Sequence, residues 1–300
     1  MDYFDRLMFE YYKVLNNAWK DEIKKAAHYG IQSLADIPKN ERVNKKYIDN
    51  IIDITKTNLG EDFMAEVAKP NKIFVDRCVR LGISDVNNQL KGTKVNANIG
   101  ISIGLNRHRQ QKLINAMSKQ NLQWIGKHYS DDISVKFKST LTEAIQSGYT
   151  RAMLADKFKE MFKDLGDKSS HYWQGLAEHT ALRIREFARL EGYKASGAKY
   201  YKLLVILDER TSDICRALAK EDKVYRLDTA IEVMEELQAL DPSKHSLETV
   251  RDRIKEIAPF INEAQVQRDK NGEPIGVEGG VTTFPPFHWK CRTTTRILVD

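Results

Sequence analysis

The chain predicts an α+β protein, with a mainly helical N-terminal region followed by a small mixed or antiparallel sheet with helices. Three observations carry this expectation. Apolar residues recur at three- and four-residue steps through most of residues 1–191. At Gly197 the pattern switches to an aromatic and β-branched run, Tyr200-Tyr201-Lys202-Leu203-Leu204-Val205-Ile206-Leu207, the strongest strand signal in the chain. Turn and strand signals then gather in the last hundred residues, the order expected when helices and sheet are segregated. Two regions follow: 1–170, helical, and 171–300, α+β.

The first helix is read from Phe4, Leu7, Met8, Tyr11, Leu15, Trp19 and Ile23, a stripe suited to a core or to the seam with a partner helix. Pro38 and Asn40 break it before a second helical stretch near 41–56. A third runs from about 61 to 68 and is expected to stop before Pro70. One or two short helices follow over 71–90, where Cys78 sits among Ile73, Phe74, Val75, Val79 and Leu81 as a buried core cysteine. Residues 91–105, with Gly92, Gly100 and Gly104, read as a loop with room for a short strand. Helical spacing returns from Asn106 to about Lys127, then over Leu141–Phe162 and His171–Glu191. Ser169 or Ser170 is the candidate cap of the last helix, and Gly192 its candidate stop. Beyond the 200–207 strand, Asp228–Leu240 and Ser246–Ala258 are helical. Asp269-Lys270-Asn271-Gly272 signals a hairpin turn between Ala264–Arg268 and Glu273–Val277. Thr293–Val299 is a second strand.

Composition narrows the class. The chain has 300 residues, 41% of them hydrophobic and 30% charged, enough for a large core or two domains. No apolar run approaches the length of a membrane span. The start, Met1-Asp2-Tyr3-Phe4-Asp5, is acidic and lacks an apolar block, so no secretory signal is expected. Three cysteines make no disulfide framework and suit a reducing compartment. The net charge of +6 is uneven: residues 1–200 carry 33 basic and 24 acidic side chains, residues 201–300 carry 15 and 18. Between Asp85 and Asp131 lie Lys91, Lys94, Arg107, Arg109, Lys112, Lys119 and Lys127 with no acid among them. That stretch is a candidate contact for nucleic acid or for an acidic protein face, and equally a solvated helix face.

The chemistry-bearing residues gather near the end. Cys215 follows the strand within Asp208-Glu209-Arg210-Thr211-Ser212-Asp213-Ile214-Cys215. His288 and Cys291 stand in Pro285-Pro286-Phe287-His288-Trp289-Lys290-Cys291-Arg292. Thiolate and imidazole suit zinc, which is borderline-soft and accepts tetrahedral geometry. Cys215, His288 and Cys291 make three ligands; Asp208, Asp213, Ser212 through water, or water itself are candidates for the fourth. The competing reading is a small buried cluster without metal. In it Asp208 and Asp213 cap the turn, and Arg210 and Arg292 pair with these carboxylates to fix the two segments together.

As a set, these residues resemble a known family. His179-Thr180-Ala181-Leu182-Arg183, Asp208-Glu209-Arg210-Thr211, Cys215, Pro285-Pro286, His288 and Cys291-Arg292 follow the order of the head-morphogenesis, or minor head protein, domain of tailed double-stranded DNA phages. This family includes the F-like proteins of phage Mu. The resemblance covers about 171–299. The chain departs from the pattern in having Ser212 where members often have a first cysteine, Thr293 where they often have a last one, and a long gap between the halves. The resemblance implies that Cys215, His288 and Cys291 converge. It also implies a minor capsid protein of the phage head, non-enzymatic, acting in procapsid assembly near the portal. Its partners would be the portal protein, scaffold or major capsid protein, and non-specifically the packaged double-stranded DNA. It would reside in the head interior or portal region, and in the host cytoplasm during assembly. Phe4, Tyr11 and Trp19 would then dock a partner helix and the basic 91–127 stretch would face DNA. Some relatives carry a toxin module after this domain; the chain ends at Asp300 directly after the last strand, so none is expected here.

The enzymatic alternative is a metal-dependent nuclease or other hydrolase at Cys215, His288 and Cys291, with an open fourth position for a reactive water. Gly100-Ile101-Ser102-Ile103-Gly104 spells a nucleophile elbow, but the residues before it make a poor core strand and the parallel sheet such a site needs is missing. Arg107-His108-Arg109 opens a helix and could meet a phosphate there. Metalloprotease, P-loop and dinucleotide signatures are absent.

Overall fold

A 45-residue helix, Arg151–Ala195, ends where the sheet begins, and this junction positions the chemistry of the chain. The computed structural model describes residues 2–38, 41–58, 61–91, 107–240, 247–279 and 284–298. The helices before the sheet are α1 (Tyr3–Ser33), α2 (Lys45–Asn58), α3 (Glu61–Leu90), α4 (Arg107–Gln146) and α5 (Arg151–Ala195). There follow β1 (Tyr200–Leu204), α6 (Asp213–Glu221), β2 (Val224–Arg226), α7 (Leu227–Ala239), α8 (Leu247–Ile257), β3 (Val266–Arg268), β4 (Pro274–Val277) and β5 (Thr294–Leu298). The α+β expectation holds. Helices dominate, and the described strands form an antiparallel sheet in the order β2-β1-β5 and a separate hairpin, β3-β4. No helix among the described residues is long and apolar enough to cross a membrane.

The chain divides into two compact units, residues 1–71 with 121–177 and residues 72–120 with 178–300. These boundaries fall inside α3, α4 and α5.

In the first unit, the α1 stripe read from the sequence is core. Leu7, Tyr11, Leu15, Trp19 and Ile23 are all buried. The Tyr11 hydroxyl donates to Asn71 Oδ1 at 2.8 Å, and Asn121 Nδ2 donates to both of these oxygens. The Trp19 indole N–H donates to the Leu165 carbonyl at 3.2 Å, and its ring lies 5.4 Å from that of Trp173. A buried Tyr or Trp needs such a partner for its polar end. Docking of a partner helix through these side chains is therefore corrected: Tyr11 and Trp19 are packed into the chain's own core, and Phe4 is half-buried.

Three helix boundaries differ from expectation. Pro70 lies inside α3 rather than after its end. Proline in a helix interior costs about 3 kcal/mol, but Phe63 and Val67 before it and Phe74, Val75, Cys78 and Val79 after it are all buried. Burying each such side chain stabilises by about 1.5–3 kcal/mol, so the continuous apolar face outweighs the proline. Leu141 does not begin a helix; it lies within α4, which runs to Gln146. Ser169, Ser170 and Gly192 lie inside α5, whose buried stripe of Phe158, Met161, Phe162, Leu165, Trp173 and Leu176 continues through 163–171. The helix ends three residues beyond Gly192, followed by Gly197 in the left-handed region at φ 78°.

In the second unit, α5 packs on α3. A Cβ on Gly82 would lie 2.4 Å from the Arg185 carbonyl oxygen, so only glycine permits this approach. Alongside it, Asp85 takes a bidentate pair from Arg185 (2.6 and 2.9 Å) and a further bond from Arg189. Arg189 also donates to the buried Glu186 at 2.6 Å. Glu186 in turn accepts from the Thr295 N–H at 3.1 Å and the Thr295 hydroxyl at 2.7 Å, fixing β5 on α5. Burial pushes the Glu186 carboxyl up, against the opposing pull of Arg189 and Thr295. β5 pairs with β1 in the register Tyr201 to Ile297 and Leu203 to Thr295.

Candidate metal centre

The Cys215 half of the site is a helix start. The Ser212 hydroxyl caps α6 by accepting from the Cys215 N–H at 3.2 Å. Ile214, Cys215, Ala217 and Leu218 turn one face of α6 inward, against Ile261, Val266, Val277, Phe287 and Cys291. Glu221 holds the far end of the helix on the hairpin by accepting from the Val277 N–H at 2.7 Å. Asp269 closes that hairpin, accepting from the N–H groups of Asn271 and Glu273, as the Asp-Lys-Asn-Gly signal predicts.

The other half is a turn. Phe287 accepts from the Ile261 N–H at 2.8 Å, and the Cys291 N–H returns to the His288 carbonyl at 3.2 Å. Lys290 stands in the left-handed region between them, at φ 60°. Asp208 and Arg292 join the two halves by a bidentate ion pair. Asp208 also accepts from the Arg210 N–H at 2.9 Å. The Arg292 guanidinium in particular holds this carboxyl well below the usual carboxylate range.

These supports bring Cys215, His288 and Cys291 together across 73 to 76 residues of chain. Their three ligand atoms lie within 4.8 Å of one another. His288 Nε2 is 3.1 Å from Cys215 Sγ, and the two sulfurs are 3.8 Å apart. A disulfide needs about 2.05 Å between sulfurs. Two thiolates held at about 2.3 Å by a tetrahedral zinc stand about 3.8 Å apart, so the observed pair fits zinc without adjustment. The imidazole is already oriented. His288 Nδ1 lies 2.8 Å from the Trp289 carbonyl, which can only accept, so Nδ1 carries the proton and Nε2 presents its lone pair. Thr293 donates its hydroxyl to Cys215 Sγ at 3.0 Å, and Ser212 Oγ is 2.9 Å from Nε2.

The electrostatics match. The hydrogen bond from Cys291 leads in pulling the Cys215 thiol down to about 4, with help from His288, Ser212 and Thr293 against burial. Cys291 is pushed up in turn, first by that bond to Cys215 and then by burial. Burial disfavours the charged form of His288, but its bond to the Cys215 sulfur and the thiolate charge overcome this and raise it. These shifts favour a thiolate at Cys215 over a thiol when no metal is bound. A cation would displace the remaining protons.

The structure corrects several expectations. Asp208 is not a ligand, because both its oxygens are committed to Arg292. Asp213 pairs with Arg268 at 2.6 Å, and the Arg210 guanidinium reaches Asp208 only at 3.7 Å. Ser212 is the N-cap of α6, a helix that the sequence analysis does not predict. Serine followed by Asp213 and by the apolar Ile214 and Leu218 is the signal that could have found it. Cys78 is buried core, as expected, and burial pushes its thiol up. In the basic stretch, Lys91, Arg109, Lys112 and Lys119 are exposed, and Arg109 and Lys112 lie near enough to Glu191 to offset its burial. Lys94, the 100–104 elbow spelling and the side chains of Arg107 and Lys127 lie outside the described residues.

The expected non-enzymatic role in the phage head is overturned by the metal-competent cluster itself. Two thiols and an imidazole within 4.8 Å supply three ligands. Among the described residues no fourth His, Cys, Asp or Glu joins them. Structural zinc sites are closed by four protein ligands, whereas three with an open position is the arrangement of catalytic sites. No protein-family model, no curated protein and no solved structure matches this chain, so the resemblance over 171–299 stands on its quoted residues alone.

Proposed function

We propose that the chain is a metal-dependent hydrolase, with zinc held by Cys215, His288 and Cys291. The observation that carries this reading is the convergence of the three ligand atoms within 4.8 Å, with a sulfur separation that suits tetrahedral zinc. A divalent zinc there lowers the pKa of a coordinated water toward about 7 and polarises the oxygen of an acyl or phosphoryl group. The chain's own residues do the rest. The Trp289 carbonyl fixes the His288 tautomer, and Thr293 stabilises the Cys215 thiolate. Asp208 and Arg292 hold the two halves in register.

The test is metal analysis of the purified chain combined with hydrolysis of an activated phosphodiester. The expected result is about one zinc per chain, lost in Cys215→Ser and in Cys291→Ser. Turnover should follow zinc content. Zinc that is absent, or indifferent to both cysteine variants, overturns the reading. So does a zinc-loaded chain that hydrolyses neither phosphodiesters nor esters.

A further inference from the structure

One face of α5 carries His179, whose Nδ1 is buried, and Arg183, which among the described residues has no carboxylate partner. His179 and Arg183 are one helical turn apart and therefore cofacial. The neighbouring arginines of the helix, Arg185 and Arg189, are each paired with carboxylates. Arg183 is different. Among the described residues it makes no hydrogen bond or ion pair, and its guanidinium lies 5.5 Å from the centroid of the Phe187 ring. Burial alone pulls its pKa down to about 10, with no carboxylate near enough to oppose the shift. The residue as a whole is half-buried by surface area. Leaving a charge desolvated and unpaired costs several kcal/mol, and a fold carries such a cost where a ligand supplies the counter-charge.

His179 repeats the pattern. Its Nδ1 is buried and has no partner. Its ring is stacked on Trp289 at 5.5 Å and meets Phe260 edge-on at 5.3 Å. Burial first, then the charges of Arg183 and His288, hold it down at about 3, so it is a neutral imidazole at ordinary pH. Trp289 and Phe260 are 40% and 49% exposed, unusual for large aromatics and suited to stacking with a planar group. Trp289 directly follows the ligand His288, so the ring that stacks on His179 is carried by the residue next to a ligand of the metal centre.

We propose that Arg183 and His179 form an oxyanion subsite of this centre that takes the phosphate of a nucleotide, whose base stacks on Trp289 or Phe260. The guanidinium supplies charge and paired donors, and the neutral imidazole supplies one more hydrogen bond. The assignment names the substrate class of the hydrolase reading and rests on that reading for the fate of the phosphoester, but not for its binding.

The test is thermal unfolding of the full chain in inorganic phosphate, in adenosine 5′-monophosphate and in chloride of matched ionic strength, with zinc measured on the same samples. Phosphate should raise Tm of the unmodified chain through binding to the native state. The nucleotide should raise it further, and Trp289→Ala should remove that extra increment. Arg183→Met should unfold at a higher temperature than the unmodified chain in chloride and show no phosphate shift. A phosphate shift that is absent, or equal in Arg183→Met, overturns the subsite. A nucleotide shift no larger than that of phosphate overturns the nucleotide assignment. Zinc that is absent while the phosphate shift persists overturns the hydrolase reading and leaves the subsite standing.

Discussion

Replacing Glu186 with alanine should destabilise the unit that holds the metal centre by about 3–5 kcal/mol, the cost of breaking a buried ion pair. The structure shows why the figure is not larger. The carboxylate accepts three charge-assisted bonds, from Arg189 and from the N–H and hydroxyl of Thr295. At about 1.5–3 kcal/mol each they sum to more than the expected loss. Two effects reduce it. Arg189 keeps Asp85 as a partner, and removing the carboxylate also removes its own desolvation, the largest cause of its raised pKa. What remains is the fully buried Thr295, its N–H facing an apolar methyl and its hydroxyl left with the Tyr193 hydroxyl at 3.2 Å. Urea unfolding at neutral pH, followed by far-ultraviolet circular dichroism, measures the loss at constant m value. Thr295→Val in the same background closes a double-mutant cycle, where a coupling of about 1–3 kcal/mol is expected. A single-variant loss under about 1 kcal/mol, or strict additivity in the cycle, would refute the argument that Glu186 anchors β5.

Three further outcomes follow from the site and its supports. In metal-free protein the Cys215 thiolate, read by its ultraviolet absorbance, should persist down to a midpoint near pH 4, and Cys215→Ser should abolish the signal. Because this pKa is depressed from 9.0, its contribution to stability is full above pH 9 and is lost progressively as pH falls toward 4. Asp208→Asn should weaken zinc retention against a competing chelator by about 10-fold, since the carboxylate that ties Arg292 beside Cys291 loses its charge. Gly82→Ala should cost about 1–3 kcal/mol in chemical denaturation, because the added methyl would sit 2.7 Å from the Ala188 Cβ as well as against the Arg185 carbonyl.

What was legible in the sequence was short-range chemistry. Pro285-Pro286-Phe287-His288-Trp289-Lys290-Cys291 announces a turn with two ligands, and Asp269-Lys270-Asn271-Gly272 a hairpin, because both depend on neighbours within a few positions. The β1 run was equally plain, though it pairs only over Tyr200–Leu204. What escaped was set by distant packing. Pro70 is a helix breaker by local rule, and only the burial of side chains on both sides of it keeps α3 continuous. Tyr11 and Trp19 read as an aromatic stripe, and nothing nearby in sequence says that Asn71, Asn121 and Leu165 wait to satisfy them. Arg183 looks no different from Arg185 and Arg189 along the chain; only the positions of Asp85 and Glu186 separate the paired from the unpaired. The same holds for Asp208, whose commitment to Arg292 removes it from the ligand set.

Because Cys215 and Cys291 lie 76 positions apart, a metal held between them would act as a staple. A metal that spans them closes a long loop, and by chain-entropy reasoning such a closure is worth about 4–5 kcal/mol against the unfolded ensemble. A marginal protein has about 5–15 kcal/mol in total. Stripping the ion would thus do more than remove a Lewis acid. It would let the first turn of α6 fray, loosen Thr293 just before β5 and slacken the α+β unit, so that chelation of a bound zinc would act on this protein as a denaturant.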